Sequence, residues 1–188
     1  FPAVTLVCIL SVDDGLYSVD FRAAERLYQQ LTQVAGRAGR SDREGDVLVQ
    51  TRYPGKDSFA RLAAHDFTGF VAAERDQRRA ADYPPFRRFV LLRAESPRPE
   101  APLRFIETAA RIGHQRLGWF TTQSIRLMDP VPSPMERRAG RYRAQLLVIG
   151  SSDGPLHRFL NDWLRDLEGL KITNTVRWSV DVDPIQMY

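Results

Sequence analysis

Apolar residues recur along this chain in two rhythms, one of strands and one of helices, and the switches between them predict the elements. Residues 4 to 10 are almost continuously apolar, which predicts a strand over 3–10 covered on both faces. Phe21, Ala24, Leu27, Tyr28, Leu31, Val34 and Ala35 then fall at three- and four-residue steps. That spacing predicts a helix over 20–35, with Asp20 as N-cap and Gly36 as its stop. A strand follows over 46–51 and closes at Pro54. Strand, helix and strand in this order suit the end of a parallel α/β sheet, and are too few for a whole α/β domain.

The helical rhythm returns over 57–81 as one connector, with Phe59, Leu62, Ala63, Phe67, Phe70 and Val71 facing inward. Arg75, Arg78 and Arg79 near its end complement the helix dipole whether or not nucleic acid is bound. Tyr83-Pro84-Pro85 breaks the pattern and marks a boundary. Beyond it the pattern predicts strands over 86–94, 124–128, 142–150 and 176–182, helices over 100–117 and 154–167, and a loop from 129 to 140. Two of these are strongly marked. Leu156, Phe159, Leu160, Trp163, Leu164 and Leu167 form a full helical stripe, while Val176, Trp178, Val180 and Val182 alternate with polar neighbours, leaving one strand face wet. The order predicts a small α+β domain with helices on an antiparallel sheet, the split β-α-β arrangement. The predicted organisation is therefore 1–54, a connector over 55–85, and 86–188.

Composition adds limits. A chain of 188 residues with 43% apolar and 27% charged side chains has room for one large or two small globular domains. No run approaches the roughly 20 apolar residues that span a bilayer, so no membrane partner is expected. The chain begins on a strand pattern without methionine or a leader, which reads as a piece of a longer, cytoplasmic protein. Cys8 is the only cysteine, which excludes an internal disulfide and a cysteine-based zinc site. Its place in an apolar strand predicts a buried, unreactive thiol. The net charge of +4 comes almost wholly from arginine, lysine standing only at 56 and 171. An anionic partner accounts for that bias, and so does a GC-rich genome.

The candidate chemistry starts at Gln33-Val34-Ala35-Gly36-Arg37-Ala38-Gly39-Arg40. Arg37 and Arg40 each offer a rigid fork of donors that stays charged, and the glycines let backbone approach a ligand. Taken alone the run reads as a polyphosphate holder, as a solvated helix terminus or as a loose nucleic-acid-binding turn. The C-terminal end of a helix does not favour a free anion, so something else must bring a phosphate there.

Gln-x-x-Gly-Arg-x-Gly-Arg resembles the last motif of superfamily 2 helicases. Phe1-Pro2-x-Val4-Thr5-Leu6-Val7, Asp20-Phe21-Arg22-Ala23-x-Glu25-Arg26, Gly45-x-Val47-x-x-Gln50-Thr51, Tyr83-Pro84-Pro85-Phe86, Gly140-Arg141-Tyr142-Arg143-x-Gln145 and Asp181-Val182-Asp183-Pro184 occur around it in order. Together they are similar to the C-terminal part of the PriA family of primosomal replication-restart DNA helicases (primosomal protein N′).

The resemblance implies that residues 1–54 end the second RecA-like lobe and that 86–188 form a DNA- and partner-binding domain. It implies that Arg37 and Arg40 act catalytically at the γ-phosphate of ATP, with Gln33 and Gly36 in the same nucleotide-binding motif. ATP and magnesium would be held mainly by upstream residues, because this chain has neither a phosphate loop nor an Asp-Glu-x-His motif. Alone, the chain is expected to be inert as an ATPase. The family's zinc belongs to an upstream cysteine-rich insert, and no metal is expected here. The implied partners are forked and single-stranded DNA, other primosome proteins, and the acidic C-terminal tail of single-stranded-DNA-binding protein, received by Arg141 and Gln145.

The basic stretch from Arg126 to Arg143, with Pro130, Pro132, Pro134 and Tyr142, offers Arg137, Arg138 and Arg143 as DNA contacts. A charged loop of this composition is also often simply solvated. Asp181 and Asp183 share a strand face but lack a third ligand, and His65, His114 and His157 show no ligand spacing. The alternative to a helicase piece is a non-catalytic nucleic-acid or protein docking module. An upstream phosphate loop and magnesium motif would decide between them.

Overall fold

The computed structural model describes residues 4–16, 20–38, 45–118, 124–151, 154–171 and 175–187, in two units, 1–80 and 81–188. In the first, β1 (Leu6–Ile9) pairs in parallel with β2 (Asp46–Val49), Leu6 opposite Asp46 and Ile9 opposite Val49. Parallel neighbours need a crossover. Between them in sequence lie the short α1 (Asp13–Leu16) and α2 (Ala23–Ala35). Ile9 and Val49 pack with Val12, Leu27, Leu31, Phe59 and Leu62. The other sheet face carries Leu6, Leu48 and an exposed Cys8. The expectation of a strand covered on both faces, with a buried thiol, is thus corrected. An apolar run shows that a strand favours burial, but a second layer has to come from another element, and the described part of this unit covers one face.

Two further corrections concern helix ends. Asp20 does not cap α2; it accepts the Arg22 N–H at 3.0 Å and the Arg26 guanidinium at 2.9 Å, organising the turn ahead of the helix. The connector is two helices, α3 (Asp57–Ala63) and α4 (Phe67–Ala80), separated at His65, whose φ is +54°. Asp66 then caps α4 by accepting the Gly69 N–H at 2.8 Å, while Arg61 bridges Asp57 at 2.6 Å and Asp66 at 2.9 Å. The break resets the helical phase. Phe70 accordingly stacks on Tyr28 at 3.9 Å, whereas Phe67 and Val71, expected to face inward, are exposed.

The second unit is built on β3 (Arg88–Ser96), α5 (Ala101–Leu117), β4 (Ile125–Leu127), β5 (Val131–Arg138), β6 (Arg141–Gly150), α6 (Gly154–Glu168) and β7 (Arg177–Val182). The strand order β4-β6-β3-β7, antiparallel throughout, is that of the split β-α-β arrangement. One sheet face, carrying Val90, Leu92, Leu146 and Val148, packs on Phe105, Ile106, Phe159 and Trp163 of the two helices. Trp163 joins them directly: it stacks on Phe159 at 5.6 Å and donates its indole N–H to the Ala109 carbonyl at 2.8 Å. Gly113 leaves room for this, since a Cβ there would lie 2.4 Å from Leu127 and 3.3 Å from the Trp163 indole nitrogen.

The predicted loop over 129–140 is corrected to strand β5. It pairs antiparallel with β6, Val131 opposite Gln145 and Arg138 opposite Arg141, with a register shift between Pro132 and Arg137. Proline is tolerated on an edge strand, where its missing N–H faces no partner. Ala139 and Gly140, at φ +48° and +77°, supply the two left-handed residues that a tight hairpin turn requires.

Arg116 of α5 and Asp166 of α6 form a two-pronged ion pair, one prong at 2.7 Å. The hydrogen bond from Arg116 holds the Asp166 carboxyl below its ordinary 3.8, with the arginine's charge adding and burial opposing. A folded value below the unfolded one stabilises above the unfolded value and loses that contribution as pH falls through the folded one. Asp166→Asn is therefore expected to cost up to about 1 kcal/mol at neutral pH, the partly exposed pair being screened by solvent. Urea unfolding at neutral pH and well below 3.8 checks this: the difference from the parent should vanish in acid.

Candidate nucleotide-contact and docking sites

The arginine motif sits where α2 ends. Gly36 stays in the right-handed region (φ −64°), its N–H on the Thr32 carbonyl at 3.0 Å, and the Arg37 N–H reaches the Val34 carbonyl at 3.0 Å. Helix α2 thus ends at Ala35 with Gly36 as its C-cap, as predicted, though with right-handed dihedrals, and a hydrogen-bonded turn carries the chain on through Arg37. Gln33, Gly36 and Arg37 are exposed. Among the described residues no carboxylate pairs with Arg37. Arg40 lies outside the described residues. What the geometry provides is a charged fork on a short, backbone-bonded turn at the end of the helix that crosses between two parallel strands.

The hairpin of β5 and β6 concentrates the other candidates. Along β6, Ala144, Leu146 and Val148 face the helices, so Arg141, Arg143 and Gln145 alternate onto the opposite face. On that face Arg93 lies opposite Gln145 and Glu95 opposite Arg143, and β7 sets Arg177 opposite Glu95. Arg141 approaches Glu95 at 3.8 Å. Arg143 is half-buried, and its guanidinium is pushed toward losing its proton by burial first, then by the charges of Arg93 and Arg138, against the pull of Glu95.

Arg137 and Arg138 are exposed, Arg137 lying over the Tyr142 ring at 5.3 Å from its centroid. Tyr142 and Arg143, with Pro102, Arg104, Glu107 and Pro132, line a cleft of about 440 Å³ at the start of α5. Arg126 stands apart, 3.3 Å from Asp82. Asp181 and Asp183 are each engaged by an arginine, Arg93 at 2.8 Å and Arg88 respectively. Gln145 is buried and donates its amide N–H to the Met187 carbonyl at 3.2 Å.

Sequence reasoning had passed over Arg93, Glu95 and Arg177. Their signal was present, since Arg93 interrupts an apolar run and Arg177 alternates with Val176 and Trp178. Only strand pairing, however, brings them beside Arg143.

A family described as the primosomal protein N C-terminal domain matches residues 79–185. The chain is 36% identical over 187 residues to the replication restart protein PriA of Haemophilus influenzae, a match covering 98% of this chain and 24% of that protein. It is 32% identical over 188 residues to the protein of the same name from Rickettsia conorii, covering 100% of this chain and 28% of the relative. The Bacillus subtilis relative is 34% identical over 187 residues, at 100% and 23% coverage. The chain thus spans about a quarter of the length of these curated relatives.

Proposed function

The chain belongs to the primosomal protein N C-terminal domain family, and from that membership we propose that it is the C-terminal part of a superfamily 2, ATP-dependent DNA helicase that restarts replication at stalled forks in the cytoplasm. Residues 1–54 complete the second RecA-like lobe, 55–85 connect, and 86–188 serve DNA and partner proteins. The observation that carries this reading is Arg37, exposed and without a described carboxylate partner, on the turn ending the crossover helix between parallel β1 and β2. Arg37 and Arg40 supply positive charge to the γ-phosphate of ATP, and Gln33 and Gly36 complete the edge of that pocket. Magnesium and zinc are assigned to polypeptide outside this chain, as the family resemblance implies; among the described residues no three His, Cys, Asp or Glu side chains converge. ATP hydrolysis by the intact protein, with Arg37 replaced, tests the reading.

In the second unit, Arg137, Arg138 and Arg143 contact DNA phosphates, while Arg141 and Gln145 take the acidic tail of single-stranded-DNA-binding protein, the arginine holding a carboxylate and the amide a backbone group. This rests on Arg138, Arg141 and Arg143 sharing one face of the hairpin with Glu95 as nearby counter-charge, and on Arg137 lying over Tyr142 on the other. Losing a charge-assisted hydrogen bond of about 1.5–3 kcal/mol, Arg141→Ala in the intact protein is expected to weaken a labelled tail peptide by about tenfold or more. Affinity for forked DNA should change far less, because many phosphate contacts share that load. Equal losses for both ligands would refute the assignment.

A further inference from the structure

The chain does not leave the sheet after β7. Asp183, at φ +54°, turns it, with its N–H on the Phe89 carbonyl at 2.8 Å. Arg93 of β3 then donates to the Gln186 carbonyl at 2.5 Å, and Gln145 of β6 donates to the Met187 carbonyl at 3.2 Å. Two consecutive carbonyls are thus gripped by side chains from neighbouring strands, and Met187 is seated with 8% of its surface exposed.

The grip is incomplete. The Gln145 amide oxygen, the Arg93 Nε and the Ser133 hydroxyl are buried without a hydrogen-bond partner among the described residues. A segment that belonged there permanently would be expected to satisfy the polar groups it covers, because each one left unpaired costs free energy. A leftover acceptor on Gln145 and a leftover donor on Arg93 instead describe a face able to bond a peptide more fully than its present occupant does. Beside it stand Arg141, Arg143 and Arg177, suited to an acidic peptide.

We propose that residues 185–187 are a displaceable strap over this docking face, and that an acidic peptide must lift the strap to reach Gln145. The proposal rests on the docking reading of Arg141 and Gln145 and adds its regulation. The strap needs little intrinsic affinity, because its tether keeps its local concentration high. The partner's apparent affinity falls by the fraction of molecules in which the strap is open.

The test measures binding of a fluorescein-labelled synthetic peptide of the acidic single-stranded-DNA-binding-protein tail to the intact protein. The parent is compared with a variant lacking residues 185–188 and with Met187→Ser, which loosens the strap while retaining the backbone. Both variants are expected to bind about threefold or more tightly than the parent. Unchanged or weaker binding by a variant whose thermal transition matches the parent's overturns the strap. If Arg141→Ala weakens the labelled peptide while loosening the strap has no effect, the strap alone is wrong. If neither parent nor variants bind the peptide, the docking reading is wrong and the strap falls with it.

Discussion

Replacing Arg37 with alanine in the intact protein is expected to lower ATP turnover by about 10³- to 10⁵-fold, the usual loss when an arginine finger is removed, equivalent to about 4–7 kcal/mol of transition-state stabilisation. The size follows from what the side chain has to do. A guanidinium aimed at charge developing on a phosphoryl group acts in a site from which water is largely excluded, where its attraction is far stronger than at a free surface. Arg37 is suited to that role because it is exposed and because its backbone is held by the bond to the Val34 carbonyl.

For the same reason the substitution should leave the fold intact, with a stability change within about 0.5 kcal/mol and DNA binding nearly unchanged. Arg37→Lys separates charge from shape. Lysine keeps the positive charge but loses the planar fork, so it should remain severely impaired. Turnover by Arg37→Ala within a few-fold of the parent would remove the catalytic role.

Trp163→Ala should have the largest effect on stability, about 3–5 kcal/mol, because a fully buried indole is replaced by a cavity. Trp163 has no exposed surface and is tied to both helices, through Phe159 on its own and Ala109 on α5. A loss of that size is a large part of the 5–15 kcal/mol that typically separates folded from unfolded chains. Urea unfolding followed by far-ultraviolet circular dichroism measures it. Trp163→Phe keeps an aromatic ring against Phe159 and forfeits the indole donor, so it should cost less than alanine but more than the roughly 1 kcal/mol of a single neutral hydrogen bond. A midpoint for Trp163→Ala close to the parent's would mean that α6 is not anchored through this residue.

Elements with a strong internal rhythm were legible before the fold was known. The stripe from Leu156 to Leu167 became α6, the alternation from Val176 to Val182 became β7, and the helix predicted over 100–117 is α5 to within one residue. The failures share a cause. One apolar period runs across both α3 and α4, so nothing in it betrays the turn at His65. Pro130, Pro132 and Pro134 make this stretch read as a loop, although the edge strand β5 accommodates the two that fall within it. The sequence neighbours of Cys8 predict burial, but burial depends on whether a second layer covers them in space, and Cys8 is exposed.

The candidate sites divide in the same way. Arg37, Arg141, Arg143 and Gln145 were identified from short ordered motifs, because a motif preserves residue type and spacing. That Gln145 is already engaged by Met187, and that Arg93 spans from Asp181 to Gln186, could not be read from any motif.

From its sequence alone this chain had a family, a set of helices and strands, and a short register of charged residues worth testing, all products of local order along the backbone. The folded chain decided which of those residues are exposed, which are held, and which share a face. Such contacts join positions as far apart as 95 residues, as Arg88 and Asp183 are. They are set by strand pairing and by the burial of apolar surface across the whole unit, neither of which is encoded in any local stretch.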